Sequence, residues 1–399
     1  MSASKLLKDI PDDIVSKILL PLSVNDLLRC KSVCKSWLSI LSDPRFVKSQ
    51  LAFSNETSDD RSCIAHTYTQ GDDSDTTMSL VNLDSGQLVA DLDFPFPQDE
   101  FPYMPPSLVC LVGSACGIVC VRCSYHSIFD IYLWNPAIKM SKLIPEGNIR
   151  GDEQRVVLGF GFNSIADDFK VVKLVSANNI FFAEVYSTHT NAWRNIEPGP
   201  SDFPTSENYD AYAKIFDVCV NGFLCTTGTN GMIAFDLDAE VFNCGIKLPV
   251  PEFNNFYHST RIIEYNDSVA AIFWMSKYED PAKMNLWSLD DEACLTGDGI
   301  QPSWTLRQNI DVNWKVDFVQ GYFNNGDFLL QEYDNCYLYN PDNGEADLCT
   351  PGNEQARYFM NAFFHGQIFR YTKSLCKIAG FTKVHWTWNI DEDDSEDDS

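Results

Sequence analysis

Six times along this chain an apolar or aromatic residue is followed by Asn, Ser or Asp, then turn residues and a second apolar run. The pairs are Val81-Asn82, Trp134-Asn135, Tyr186-Ser187, Phe235-Asp236, Trp287-Ser288 and Tyr339-Asn340, at intervals of 53, 52, 49, 52 and 52 residues. A period near 50 residues is the length of four short strands and their connections, so six periods predict a six-bladed β-propeller. Each marked pair should join a blade's third strand to its fourth, as Leu133-Trp134 would join Met140 to Ile144. Three runs follow glycines: Ile118 to Val121 after Gly117, Phe223 to Cys225 after Gly222, and Phe328 to Leu330 after Gly326. They read as inner strands packed close to the axis. Ring closure is expected from C-terminal strands, drawn from Phe363-Phe364, Ile368 to Tyr371 and Leu375 to Ile378, against one from the Leu51 to Tyr68 region. An open β-sandwich is the alternative architecture.

Ahead of the repeats, Ile10 to Leu51 carries a helical period instead. Ile14, Val15, Ile18 and Leu19 share one helix face, with Pro11 in the first turn and Asp12 and Asp13 complementing the dipole. Pro21 stops that helix, Ser23 and Asp26 form a capping-box-like start for the next, and Val33, Cys34, Trp37, Leu38 and Leu41 stripe a third that ends at Asp43-Pro44. Three short helices with so much apolar face need a partner surface. In order and spacing Ile10, Pro11, Asp12, Ile14, Leu19, Leu22, Leu27, Val33, Cys34, Lys35, Trp37 and Leu41 resemble the F-box motif, with Ile10 in place of the usual Leu. The resemblance implies docking on a Skp-type adaptor through Ile10, Pro11, Ile14, Leu19, Leu22, Leu27, Val33, Cys34, Trp37 and Leu41. Through that adaptor it implies a cullin and a RING subunit, making the chain a substrate receptor of an SCF-type ubiquitin ligase.

The body has a resemblance of its own. Gly159-Phe160-Gly161-Phe162, Asp167-Asp168, Lys170-Val171-Val172, Val185-Tyr186-Ser187 and Trp193-Arg194 are similar to the F-box-associated domains of plants. Asn221-Gly222, Phe235-Asp236-Leu237, Leu248-Pro249, Ser303-Trp304-Thr305 and Ser374-Leu375 extend the match. Within that family the chain most resembles the S-locus F-box group, which implies a non-self stylar S-ribonuclease as target in pollen self-incompatibility. The double glycines of kelch blades are absent, so "kelch-like" describes shape only. The expected organisation is an all-α F-box at 8–51, an all-β substrate-binding domain at 52–388, and a disordered acidic tail at 389–399, where Asp391 to Ser399 holds seven acids in nine positions.

Charge sorts the two parts. Residues 1–50 carry eight Lys/Arg and five Asp/Glu, leaving 21 basic and 51 acidic residues in the rest, a net of −30. That argues against nucleic acid and for a target with a basic surface. Met1 to Lys8 lacks an apolar signal region, and the uncharged run Met104 to Val121 is broken by Pro105, Pro106, Gly113 and Gly117. The expectation is therefore a cytoplasmic protein, also compatible with the nucleus, with no membrane span and with the cysteines as free thiols.

Catalytic, cofactor and metal sites are not expected. Cys120 and Cys123 form a CxxC, but three residues apart on one strand they face opposite sides. The six histidines show no paired spacing, and no nucleophile elbow or phosphate loop occurs. Target contacts are expected on loops at one rim, with Asp202, Glu207 and Asp210 in Gly199 to Tyr212, and Phe253, Phe256 and Tyr257 in Pro251 to Thr260. An F-box receptor for an unrelated target, or a binding scaffold outside any ligase, is the alternative function.

Overall fold

The computed structural model describes residues 10–57, 62–68, 76–82, 87–92, 108–125, 128–149, 156–177, 180–199, 214–251, 259–275, 282–297, 299–323, 326–332, 335–348 and 369–384. Four helices lead: α1 Asp12–Leu19, α2 Val24–Cys30, α3 Lys35–Ile40 and α4 Pro44–Thr57. The caps follow the sequence. Ser23 accepts from the Asp26 amide, and Asp12 and Asp13 occupy the first turn of α1. The fourth helix is a correction, because Asp43-Pro44 read as a stop. Proline also suits a first helical position, and here the Asp43 carboxylate accepts from the Arg45 amide at 2.8 Å while its carbonyl accepts from Val47.

An all-β domain follows, and it forms a β-propeller. The described residues make six sheets. The first contains Ser62–Tyr68, Thr76–Asn82 and Gln87–Leu92; the second Leu108–Ala115, Ile118–Tyr125, Ile128–Asn135 and Met140–Leu143. The third contains Val156–Asn163, Asp168–Ala177, Ile180–Ser187 and Ala192–Gly199; the fourth Val218–Val220, Phe223–Gly228, Gly231–Asp236 and Val241–Ile246. The fifth contains Ser259–Tyr265, Ser268–Trp274, Ala282–Leu289 and Trp304–Val312; the sixth Phe318–Tyr322, Phe328–Glu332, Asn335–Tyr339 and Ala346–Leu348. Each is built on an antiparallel meander, to which the third adds Lys214–Ile215 in parallel with Val156–Asn163, and each buries one face against the sheet before it and the other against the sheet after it. Thus Leu133 and Ile131 of the second sheet pack on Phe160 and Val171 of the third, while Val119, Val121 and Trp134 turn the other way, toward Leu80 and Tyr371 of the first.

The periodic marker has a physical cause. In the second, third, fourth and sixth sheets its aromatic is buried near the end of the third strand: Trp134, Tyr186, Phe235 and Tyr339 are at most 5% exposed. The polar residue after it then folds the chain back. Asn135 Oδ1 accepts from the Ala137 amide, Asp236 Oδ1 from Asp238, Asn340 Oδ1 from Asp342, and Ser187 Oγ from Thr190.

Closure uses the C-terminal segment. Phe369–Tyr371 pairs with Ser62–Tyr68, with Ser62 opposite Tyr371 and Ile64 opposite Phe369, as expected of the Ile368 to Tyr371 run. Leu375 to Ile378 is not a strand; the second C-terminal strand is Thr382–Lys383, on the outer edge of the second sheet. Phe363 and Phe364 lie outside the described residues. The runs after Gly117, Gly222 and Gly326 are second strands, one step out from the axis. Those glycines serve the turn into the strand: Cys116-Gly117 and Asn221-Gly222 both hold paired positive φ, at 51° and 76° and at 49° and 85°, the signature of a tight type I′ hairpin.

Candidate functional site: an exposed helical stripe and the far end of the ring

The four helices have an interior of their own. Val15, Leu19, Val24, Leu27, Leu41 and Phe46 form a buried cluster, with Leu22, Trp37 and Val47 packed partly against it. Leu19, Leu27 and Leu41 are at most 1% exposed, so these expected adaptor contacts face inward. Helical spacing selects a face but does not say whether that face looks in or out when both sides are apolar.

The outward face is nevertheless apolar. Ile10, Ile14, Ile18, Val33 and Leu38 are 37, 42, 56, 54 and 45% exposed. Pro11 and Cys34 are exposed beside them in sequence. Ile10, Ile14 and Ile18 repeat every four residues, opposite Val15 and Leu19. Cys34, at the N-cap of α3, and Leu38 repeat the spacing. Packing brings α1 against α3, and Ser36 Oγ donates to Asp12 Oδ1 at 2.8 Å, locking the two first turns together. Ile18 and Leu38, outside the expected contact set, share this exposed face, and the four-residue step from Ile14 and from Cys34 points to both.

Strand alternation fixes where this stripe sits on the ring. In the second to sixth sheets the strand ends that lead from first to second strand, and from third to fourth, lie at one end; the remaining strand ends lie at the other. The helices occupy the first of these ends. Lys48 of α4 pairs with Asp167, in the first turn of the third sheet, at 2.8 Å, and Ala137 and Ile138, after the third strand of the second sheet, pack on the helical core. Asp202, Glu207, Asp210, Phe253, Phe256 and Tyr257 lie outside the described residues. The strand ends flanking their segments, Gly199 and Ser259, are at the opposite end, which the helices leave open.

One strand or strand edge from each sheet lines an axial cavity of about 120 Å³, including Gly113, Phe160, Val218, Arg261, Gln320 and Arg370. Arg261 donates to the Val319 carbonyl at 3.0 Å and to Gln320 Oε1 at 3.2 Å. Asp217 accepts from the Thr227 and Ile262 amides, and burial pushes its carboxyl above the usual range against the pull of Arg261 and those bonds. Cys120 packs in the core between the second and third sheets and Cys123 in the core between the first and second, so the CxxC is split across two faces. Burial pushes the Cys116 thiol up to about 11 and those of Cys219 and Cys376 up to about 12, which keeps all three protonated and poor nucleophiles near neutral pH. Among the described residues no helix is long and apolar enough to cross a membrane.

Residues 7–51 match the F-box-like family, and residues 54–340 match the F-box associated beta propeller domain. The chain belongs to the F-box associated β-propeller family. Its relatives in Arabidopsis thaliana include a putative F-box protein, 27% identical over 62% of this chain and 62% of its own length. An F-box/kelch-repeat protein is 28% identical over 61% of this chain and 66% of its own, and a further F-box protein is 23% identical over 90% and 88%. The match thus spans a little under two thirds of the length of the first two.

Proposed function

We propose that this F-box protein is the substrate receptor of an SCF-type ubiquitin ligase. The observation that carries the reading is the stripe of Ile10, Pro11, Ile14, Ile18, Val33, Cys34 and Leu38. It stays exposed on helices that already have a complete core and already cap the ring, so internal packing does not account for it. A Skp-type adaptor is the partner that F-box helices take, and through it a cullin and a RING subunit. The six sheets, each lending residues to the axial cavity, support a closed ring of six blades. The target binds the open end, and the receptor contributes proximity, not chemistry of its own.

The contact set is accordingly the outward stripe, with Leu19, Leu27 and Leu41 holding the helices together beneath it. Ile14→Glu combined with Leu38→Glu should weaken adaptor capture at least 100-fold while the melting temperature stays within a few degrees of wild type, because both side chains already face water. Undiminished capture would sink the receptor reading and favour a scaffold outside any ligase.

The target in this reading has a basic surface, drawn by a body of net charge −30. A stylar S-ribonuclease is the case that the S-locus resemblance implies. Affinity for a basic target should fall at least tenfold between 50 and 300 mM salt, as read by titration calorimetry. An affinity unchanged by salt rejects electrostatic selection of the target.

A further inference from the structure

The helices and the ring are joined along the chain only through residues 58–61, yet a second connection binds them, and it comes from the other end of the sequence. From its inner strand in the first sheet, the segment 369–384 crosses beneath the second sheet to that sheet's outer edge. Tyr371 is buried, and its hydroxyl accepts from the Ala137 amide at 3.3 Å. Ser374, fully buried, donates to the Cys116 carbonyl at 2.8 Å. The Asn135 amide donates to the Ser374 carbonyl at 3.0 Å and to the Cys376 carbonyl at 2.9 Å, while its oxygen accepts from Ala137. Lys142 Nζ donates to the Ala379 carbonyl at 2.8 Å, and Thr382 and Lys383 pair with Ser141 and Met140. Asn135 is the polar member of the second repeat. In the fourth repeat the equivalent Asp236 serves its own turn; here the side chain also holds a segment 239 residues away.

On the side away from the sheet, the same segment presents Leu375. That side chain is 2% exposed and belongs to the buried cluster of Val15, Leu19, Leu27, Leu41 and Phe46. The helical core is therefore completed by a residue whose backbone neighbours are bonded to the ring. A module clamped on one side and inserted on the other has no free hinge.

We propose that residues 372–378 are the seat that sets the angle between the helices and the ring, with Leu375, Ser374 and Asn135 as positioning residues for ubiquitin transfer. The inference rests on the receptor reading above. A ligase acting by proximity depends on where the target end points when the adaptor is docked, and angstrom-scale misplacement is costly to transfer. All three residues are buried in the joint, through which they act.

The test uses the full chain bound to a Skp-type adaptor, in a reconstituted cullin–RING ligase. The probe is modification of the receptor's own lysines, mapped by mass spectrometry, alongside small-angle scattering of the receptor alone. Leu375→Ala should leave adaptor affinity within twofold, widen the scattering envelope, and lower the modification rate at the preferred lysines at least fivefold while new sites appear. Leu375→Met, which refills the volume, should restore both readouts. Wild-type scattering and lysine pattern in Leu375→Ala would overturn the proposal. Native-state hydrogen exchange on the unaltered protein adds a measurement that needs no variant. Helices α1–α4 and residues 372–378 should open as one unit, and helices that open while 372–378 stays protected refute the seat. If wild-type receptor fails to bind any adaptor, the receptor reading falls, while scattering and exchange still judge the joint.

Discussion

Replacing Glu184 with Gln should cost about 3–5 kcal/mol of stability, the largest loss expected from any single polar substitution in this ring. The Glu184 side chain is fully buried, and its carboxylate meets Lys173 Nζ at 2.9 Å. It also accepts from the Asn148 amide at 2.8 Å and from Ile149 at 3.3 Å. Lys173 in turn donates to the Ile149 carbonyl at 2.7 Å and lies 5.7 Å from the Phe129 and Trp193 rings. The pair thus holds the connection that leaves the second sheet for the third. Gln keeps the shape and an acceptor for the two amides, but it leaves the buried ammonium without its counter-charge. Adding Lys173→Met to Glu184→Gln should recover part of the loss, since the uncompensated charge is then gone. Urea unfolding of the two variants checks this, and a single variant within 1 kcal/mol of wild type would show that the pair is not structural.

The second large effect is a comparison of two glycines in the same kind of turn. Gly117 and Gly222 both hold positive φ, at 76° and 85°, so Ala at either is strained by about 1–2 kcal/mol. Around Gly222 no atom of the described residues lies within 4 Å of an added Cβ, whereas at Gly117 that atom would collide with Ser374 Oγ and meet Ser374 Cβ at 2.6 Å and the Thr372 carbonyl at 2.7 Å. Gly117→Ala must therefore also displace the buried segment, for a further loss of about 1–3 kcal/mol. Gly222→Ala should melt only a few degrees below wild type, while Gly117→Ala should melt markedly lower and raise hydrogen exchange across residues 372–378. Equal melting temperatures would mean that the segment yields freely at this point.

How far the sequence reached can be judged residue by residue. The ring was legible because four of the repeats carry their own local chemistry: a buried aromatic, then a side-chain oxygen that folds the next two or three residues. Such signals are complete within a window of about ten residues. The inner strands were misassigned because a glycine speaks for the backbone angle of a turn before it speaks for crowding, and Gly117, Gly222 and Gly326 all hold positive φ. Pro44 misled in a similar way, since proline closes one helix and opens the next with equal ease. In the helical module the period found the helices but not their inside, so Leu19 and Ile14 could not be told apart. The seat left no local trace at all. Asn135 and Ser374 are 239 residues apart, and neither residue differs in type from its counterparts in ordinary turns.

That separation has a consequence for the life of the protein. Helices α1–α4 leave the ribosome before residue 375, by on the order of 15–60 s at ordinary rates of synthesis. Throughout that interval the nascent helices lack the side chain that completes their core, while the exposed stripe proposed to meet an adaptor is already made. A product of premature termination before Leu375 would carry the docking stripe without its seat. On the receptor reading it would occupy adaptor while holding no target in place, and so act as a competitor of the full-length chain.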